Sequence, residues 1–341
     1  PHPRAWQSAH LFWQAPFGER AAAWHASCSV WVGMNLENPR VARLGSQEMG
    51  ARPVRFNPSL KGPKGTSVGP ALHFPILAEG LDLALHYGWF AEPSQVADSL
   101  AALREGQAAF TAQVLKLISP GAQRVLDVGT GRGETARALA AGGASVVTLS
   151  PDLNQGRWLG RSPHPRIAFV HTRFEDFRPG SEPLFDHVLF SESSNYVALD
   201  NLLSHSAALT TARGSLVIAA PFLRGERSLV YRDMHPQLDF RAKLARSAWH
   251  IGEEYDFTEQ VAPTLRIGRQ LLERRVVPSA RAIDRYLAEH GPTPVRLLSW
   301  LFQGYRRRCL ALLGRELPAL LDPRAFCREV AFLFLKLEKN A

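Results

Sequence analysis

Cysteine is scarce in this chain. The three in 341 residues, Cys28, Cys309 and Cys327, are dispersed and share no metal-ligand spacing. They set up neither a disulfide framework nor a zinc site, and no metal is expected. A reducing cytoplasm is the natural setting. Long hydrophobic runs are missing too, since none approaches the roughly 18 apolar residues that cross a bilayer. Ala21 to Met34, after Arg20, has the outline of a signal h-region, but His25, Ser27, Cys28 and Ser29 interrupt it. Nor is the positive charge, formally +9, spread evenly: residues 71–264 carry 17 basic and 21 acidic groups, against 8 and 3 in residues 1–70 and 15 and 7 in residues 265–341. A slightly acidic middle argues against a nucleic-acid groove there. The basic C-terminal part suits anionic lipid, an acidic carrier protein, or simply a solvated Arg-rich surface. What remains is ordinary for a soluble globular chain: 45% apolar and 21% charged residues, enough for one large domain or two.

Residues 123–152 organise the rest. A short apolar run (Val125, Leu126, Val128) meets a glycine cluster, Gly129, Gly131 and Gly133. An Ala-rich helical pattern follows to about Ala141, then Gly142-Gly143 and a second apolar run from Ser145 to Leu149. Strand, tight turn, helix, turn and strand make one right-handed βαβ unit. Glycines let the backbone approach a ligand at a helix N-terminus, where N–H groups and the dipole favour a carboxylate or phosphate. A dinucleotide fingerprint wants glycine at the first, third and sixth positions. Here the sixth is Glu134, and Asp127 stands two residues before the first glycine. A carboxylate there repels a pyrophosphate but can hold an ammonium group, directly or through water.

Asp127-x-Gly129-x-Gly131-x-Gly133 resembles the first motif of the class I S-adenosylmethionine (SAM) methyltransferases. The resemblance implies an α/β fold with a Rossmann-like sheet, mostly parallel with its last strand antiparallel, and helical lid insertions. It also implies SAM as cofactor, with Asp127, Gly129, Thr130, Gly131 and Gly133 around its amino-acid tail. Further blocks resemble the cyclopropane fatty acid synthase and sterol C-methyltransferase-like group. His86-Tyr87-Gly88-Trp89-Phe90, a helix, then the glycine motif about forty residues on looks like that group's N-terminal lid, which implies Tyr87 over the methionine end of SAM. The same aromatics serve equally to pack a helix onto the sheet. Leu149-Ser150-Pro151 with Gln155 resembles the group's ribose turn, so Ser150 and Gln155 are candidates, with Asp152 beside them. Phe174 and Glu175, after a third strand (Ile167 to Thr172), fit an adenine site, although Asp176 can exchange roles with Glu175. The fourth strand, Phe185 to Phe190, ends in Ser191-Glu192-Ser193-Ser194-Asn195-Tyr196. Beyond the carboxyl ends of such strands lies the ligand. Ser191 is placed with the cofactor, and Glu192 resembles the strand-end carboxylate of the lipid and sterol enzymes. No Asn/Asp-Pro-Pro-aromatic tetrapeptide stands here, which counts against a DNA or RNA adenine target.

The chain divides on these signals into an irregular N-terminal extension (1–70), an N-terminal helical lid (71–120), a SAM-binding core (121–263), a helical substrate lid (264–327) and a final core strand (328–341). Within them, Leu77 to Leu85 and about Ser94 to Ile118 read as helices, and Leu199 to Thr210 as another. Ser215 to Ala220 reads as a strand, and Trp249 to Glu259 alternates like an exposed antiparallel one. Thr258 to Leu265 resembles the opening of the group's substrate lid. Helical patterns cover Ile267 to Leu287 and Leu297 to Leu313, and Val330 to Leu337 is a short core strand.

The resemblance therefore points to a methyltransferase acting on carbon or oxygen of a hydrophobic small molecule, lipid-like or polyketide-like. The Leu-rich 264–327 stretch with Arg306-Arg307-Arg308 on its rim suits an acyl- or carrier-linked acceptor, and peripheral membrane contact fits the same edge. Proton removal falls to Glu192 or to a histidine: His205 and His86 lie near recognised motifs, and His250 is a third. A SAM-binding cyclase or rearrangement enzyme without net methyl transfer is the alternative, followed by an RNA methyltransferase and a binding protein that keeps the fold. Nothing in the sequence names the oligomer.

Overall fold

The computed structural model describes residues 80–180, 182–290, 292–293, 303–304, 311, 313–314 and 317–340. The extension at 1–70 and most of the helical pattern at 297–313 lie outside the described residues. Alternation of apolar and turn-forming stretches produces a seven-stranded sheet in the order β3-β2-β1-β4-β5-β7-β6. The strands are β1 (Arg124–Val128), β2 (Ser145–Ser150), β3 (Ile167–His171), β4 (Phe185–Ser191), β5 (Thr210–Leu223), β6 (Trp249–Asp256) and β7 (Val330–Lys339). The first five run parallel, and β7 lies antiparallel between β5 and β6.

The helices are α1 (Leu100–Lys116), α2 (Glu134–Ala141), α3 (Leu153–Arg161), α4 (Leu199–Leu209), α5 (Gln237–Leu244), α6 (Thr258–Leu271), α7 (Val277–His290), α8 (Leu317–Leu320) and α9 (Pro323–Glu329), with a π-turn at Leu272–Val276 joining α6 to α7. Successive strand residues face opposite layers. Leu126 and Val128 join Phe190 and the α4 residues Leu202 and Leu203 on one side. Val125 joins Phe110 and Val114 of α1, Leu139 of α2, and Phe332 and Phe334 on the other. β7 is paired on both edges and covered on both faces, so it reads as a near-continuous apolar run, Val-Ala-Phe-Leu-Phe-Leu. Each such buried side chain contributes about 1.5–3 kcal/mol over leaving it in water.

Several boundaries differ from expectation. α1 begins at Leu100, not near Ser94, because the Ser99 hydroxyl caps it by accepting from Ala102 N at 3.1 Å. β5 extends from Thr210 to Leu223, beyond the expected Ser215 to Ala220, since β7 pairs with it from Ser215 to Leu223. Within the stretch expected to be helical at Leu77 to Leu85, Leu81–Leu85 is not helix; the reason appears with the site. Among the described residues no helix is long and apolar enough to cross a membrane.

Candidate active site

Strand order reverses between β1 and β4, which places a ligand crevice beyond their carboxyl ends. The β1 end is shaped by its glycines. Gly129, Gly131 and Gly133 have φ of 80°, 57° and 88°, the left-handed region that other residues enter at a cost. Gly129 is also pressed against the turn that follows β4: a Cβ there would lie 2.5 Å from Ser193 Cβ. Gly129→Ala combines the two penalties, and we expect about 2–4 kcal/mol lost in urea unfolding. Gly131 is different, because a Cβ on it meets nothing nearer than Leu85 at 3.7 Å.

Asp127 sits beneath this turn and is 1% exposed. Its Oδ2 and the Thr130 hydroxyl oxygen are buried without a well-formed hydrogen bond in the protein, though the hydroxyl lies near enough to the carboxylate to favour its ionised form. Burial pushes its carboxyl up to about 6; the neighbouring Thr130 hydroxyl opposes the change and Glu134 adds to it. A buried carboxylate lacking a partner is costly, and an ammonium group at Oδ2 would relieve it.

The β4 end supplies the second carboxyl. Glu192 adopts φ 59°, unusual for a residue with a side chain. Its N–H donates to Ala219 O at 2.8 Å, and its Oε1 accepts from Tyr87 N at 2.6 Å. Burial raises its carboxyl to about 8, with the Tyr87 N–H pulling the other way.

Residues 81–90 form a strap across this crevice, which explains why they are not helical. Their backbone groups are taken by side chains and carbonyls distant in sequence. Gln107 of α1 accepts from Ala84 N and donates to Ala84 O and His86 O, at 3.0, 3.0 and 2.8 Å. Arg132, inside the glycine turn, donates to Leu83 O at 2.7 Å and pairs with Asp82. Trp89 N donates to Gly106 O, Phe90 N to Gln260 O, and Gly88 N to Thr264 Oγ1. Gln107, Arg132 and Thr264 escaped the sequence reading. A buried Gln on the apolar face of α1 was the one available signal.

Other expected site residues have different occupations. The Tyr87 ring packs on Phe326 and Phe332, with centroids at 5.7 and 5.2 Å, and burial, then the charge of Glu192, raises its phenol pKa. His86 stacks on Phe110 at 4.8 Å and donates from Nδ1 to Tyr87 O at 2.8 Å. Burial lowers it to about 4 against that carbonyl, so the ring is neutral and serves the strap. Gln155 Oε1 accepts from Gly131 N at 3.1 Å, and Ser150 Oγ accepts from Asp152 N at 3.0 Å. Asp152 caps α3 through Asn154 N. Phe174 is 3% exposed and lies edge-on to Phe190 and His205.

His205 is not brought to Asp127 and Glu192. It rides on α4, which packs on the sheet face opposite the Asp127 side chain. There it contacts Phe177 O at 3.0 Å and shares a shallow outer depression with Glu175, Arg178, Asn201 and Ser204. His250 lies on the edge strand β6, 3.8 Å from Glu338. Ser191 remains at the β4 end, its hydroxyl oxygen buried without a partner. Among the described residues no three His, Cys, Asp or Glu side chains gather to hold a metal.

No protein-family model matches the chain, and no curated protein matches it either. Solved structures do resemble it. The 4+2 cyclase SpnF aligns with TM-score 0.59 at 14% identity over 85% of this chain and 100% of its own. A geranyl diphosphate C-methyltransferase from Streptomyces coelicolor A3(2), solved with S-adenosyl-L-homocysteine, gives 0.53 at 15% identity over 79% and 92%. The cyclopropane synthase MmaA2 from Mycobacterium tuberculosis gives 0.51 at 16% identity over 74% and 89%. With its sheet order and antiparallel β7, the chain has the fold of the class I SAM-dependent methyltransferases.

Proposed function

We propose that this protein is a SAM-dependent methyltransferase that acts on carbon or oxygen of a hydrophobic small molecule, lipid-like or polyketide-like. The observation that carries the reading is the Asp127 carboxylate, buried without a partner at Oδ2 beneath three left-handed glycines. This donor set fits the amino-acid end of SAM: Asp127 and Thr130 would hold the ammonium, and the glycine turn admits the backbone-close approach. When bound, SAM supplies a methyl group activated by a sulfonium. The protein's own residues align, exclude water and take up a proton. The strap would exclude water, and Glu192, held at the β4 end by Tyr87 N, would accept the proton. The C-methyltransferase and cyclopropane synthase likenesses support small-molecule chemistry.

Calorimetric titration with SAM and with S-adenosylhomocysteine tests the reading. Both should bind one per chain, more tightly as pH rises through about 6, where Asp127 ionises in the free protein, and level from there until the ligand's own ammonium loses its proton at alkaline pH. Absence of heat at every pH from well-folded protein would sink it. The likeness to a 4+2 cyclase supports a second reading, catalysis on this scaffold without methyl transfer. Stoichiometric release of S-adenosylhomocysteine with acceptor present separates the two.

A further inference from the structure

The β4 end holds more polar chemistry than the fold requires. Ser191 Oγ and Ser194 Oγ are buried and unpaired, and Glu192 gives only Oε1 to Tyr87 N. Each buried hydroxyl left unpaired costs about 1–3 kcal/mol. Register shows where Ser191 faces. Asp127 pairs with Leu189, Leu189 belongs to the Phe110–Phe332 layer, and Ser191 follows two residues later on the same face. Glu192 turns toward Tyr87, whose ring lies in that layer as well.

The turn beyond is pinned firmly. Ser193 Oγ donates to Val128 O. Asn195 donates to Pro221 O at 3.1 Å and accepts from His235 N at 2.9 Å. His235 Nε2 lies 3.2 and 3.0 Å from the carbonyls of Ser194 and Val197. This fixed turn presents Tyr196, 78% exposed, so core packing does not account for its ring.

Resting on the methyl-transfer reading, we propose that the acceptor is an oxygen nucleophile, a hydrophobic alcohol or phenol whose hydroxyl accepts from Ser191 Oγ and donates to Glu192, with its apolar body against the Tyr196 ring. An alkene carbon would leave the Ser191 hydroxyl unpaired and give Glu192 no partner beyond Tyr87 N, whereas a hydroxyl bonds to both. The reaction balances. The acceptor's O–H proton passes to the Glu192 carboxylate, its oxygen pair forms the O–CH3 bond, and the C–S pair stays on the sulfur of neutral S-adenosylhomocysteine.

The test is calorimetry on protein loaded with S-adenosylhomocysteine, titrated with 4-butylphenol and with butylbenzene. We expect the phenol to bind at least tenfold tighter. Ser191→Ala should shrink that preference to about threefold or less, and Tyr196→Ala should weaken both probes alike. Equal binding of the two probes, binding of neither, or a Ser191→Ala effect on S-adenosylhomocysteine alone overturns the proposal while leaving the methyl-transfer reading standing. Failure of S-adenosylhomocysteine to bind would instead overturn that reading, and the proposal with it.

Discussion

Asp127→Asn is expected to weaken SAM and S-adenosylhomocysteine binding about 100-fold while making the ligand-free protein more stable, a pair of effects that a merely structural residue would not give. The side chain is 1% exposed and its carboxyl is raised from 3.8 to about 6, chiefly by burial. Between those two pH values the unfolded chain has lost the proton and the folded one keeps it. Stability therefore falls as pH rises from 3.8 to about 6 and stays level above, a penalty of about 3 kcal/mol at neutral pH. Asparagine keeps the shape and removes the buried charge, so urea unfolding at pH 7.5 should show a gain of about 1–3 kcal/mol that vanishes near pH 4. An ammonium group bound at Oδ2 removes the same penalty in the wild type, which is why the ligand affinity and the pH dependence stand or fall together. Loss of stability in Asp127→Asn at pH 7.5, with ligand affinity intact, would show that the carboxylate is satisfied within the protein.

The glycine turn was legible because its requirement is local: three positive φ values at alternate positions admit little besides glycine. β7 was legible as well, since a strand covered on both faces must be apolar throughout. Local pattern stops at side chains whose partners are remote. The 81–85 stretch has helix-compatible residues, yet Gln107, Arg104 and Arg132 claim its backbone groups from up to 49 positions away. Resemblance singled out Tyr87 for its ring, while the group that reaches Glu192 is its backbone N–H, 105 positions distant. Gln155 shows the opposite limit. The resemblance set it at a ribose turn, and spacing could not show that its amide oxygen also closes the glycine loop at Gly131 N. His205 and Glu175 each follow a motif of the core, and the fold gathers them on the outer side of α4. Spacing along the chain carries no information about which face of the sheet receives a helix.

Glu192 has two tasks that substitution can separate. Its Oε1 holds the strap at Tyr87 N, and in the proposed reaction its ionised form would accept the proton. Glutamine retains the acceptor for Tyr87 and cannot take the proton. Glu192→Gln should therefore bind SAM within about twofold of wild type while turnover falls by roughly 10²–10⁴. Glu192→Ala loses both functions and should weaken SAM binding as well, through a loosened strap. The pH profile distinguishes this account from a structural one. Burial raises the Glu192 carboxyl to about 8, so only the minor ionised fraction works at pH 7. Turnover in the wild type should climb about tenfold per pH unit below 8 and level above it. In Glu192→Gln that limb should disappear, leaving a low and nearly flat rate. A limb that persists in the glutamine variant would assign proton removal to another group, and His86, lowered to about 4 and committed to Tyr87 O, titrates too low to supply it.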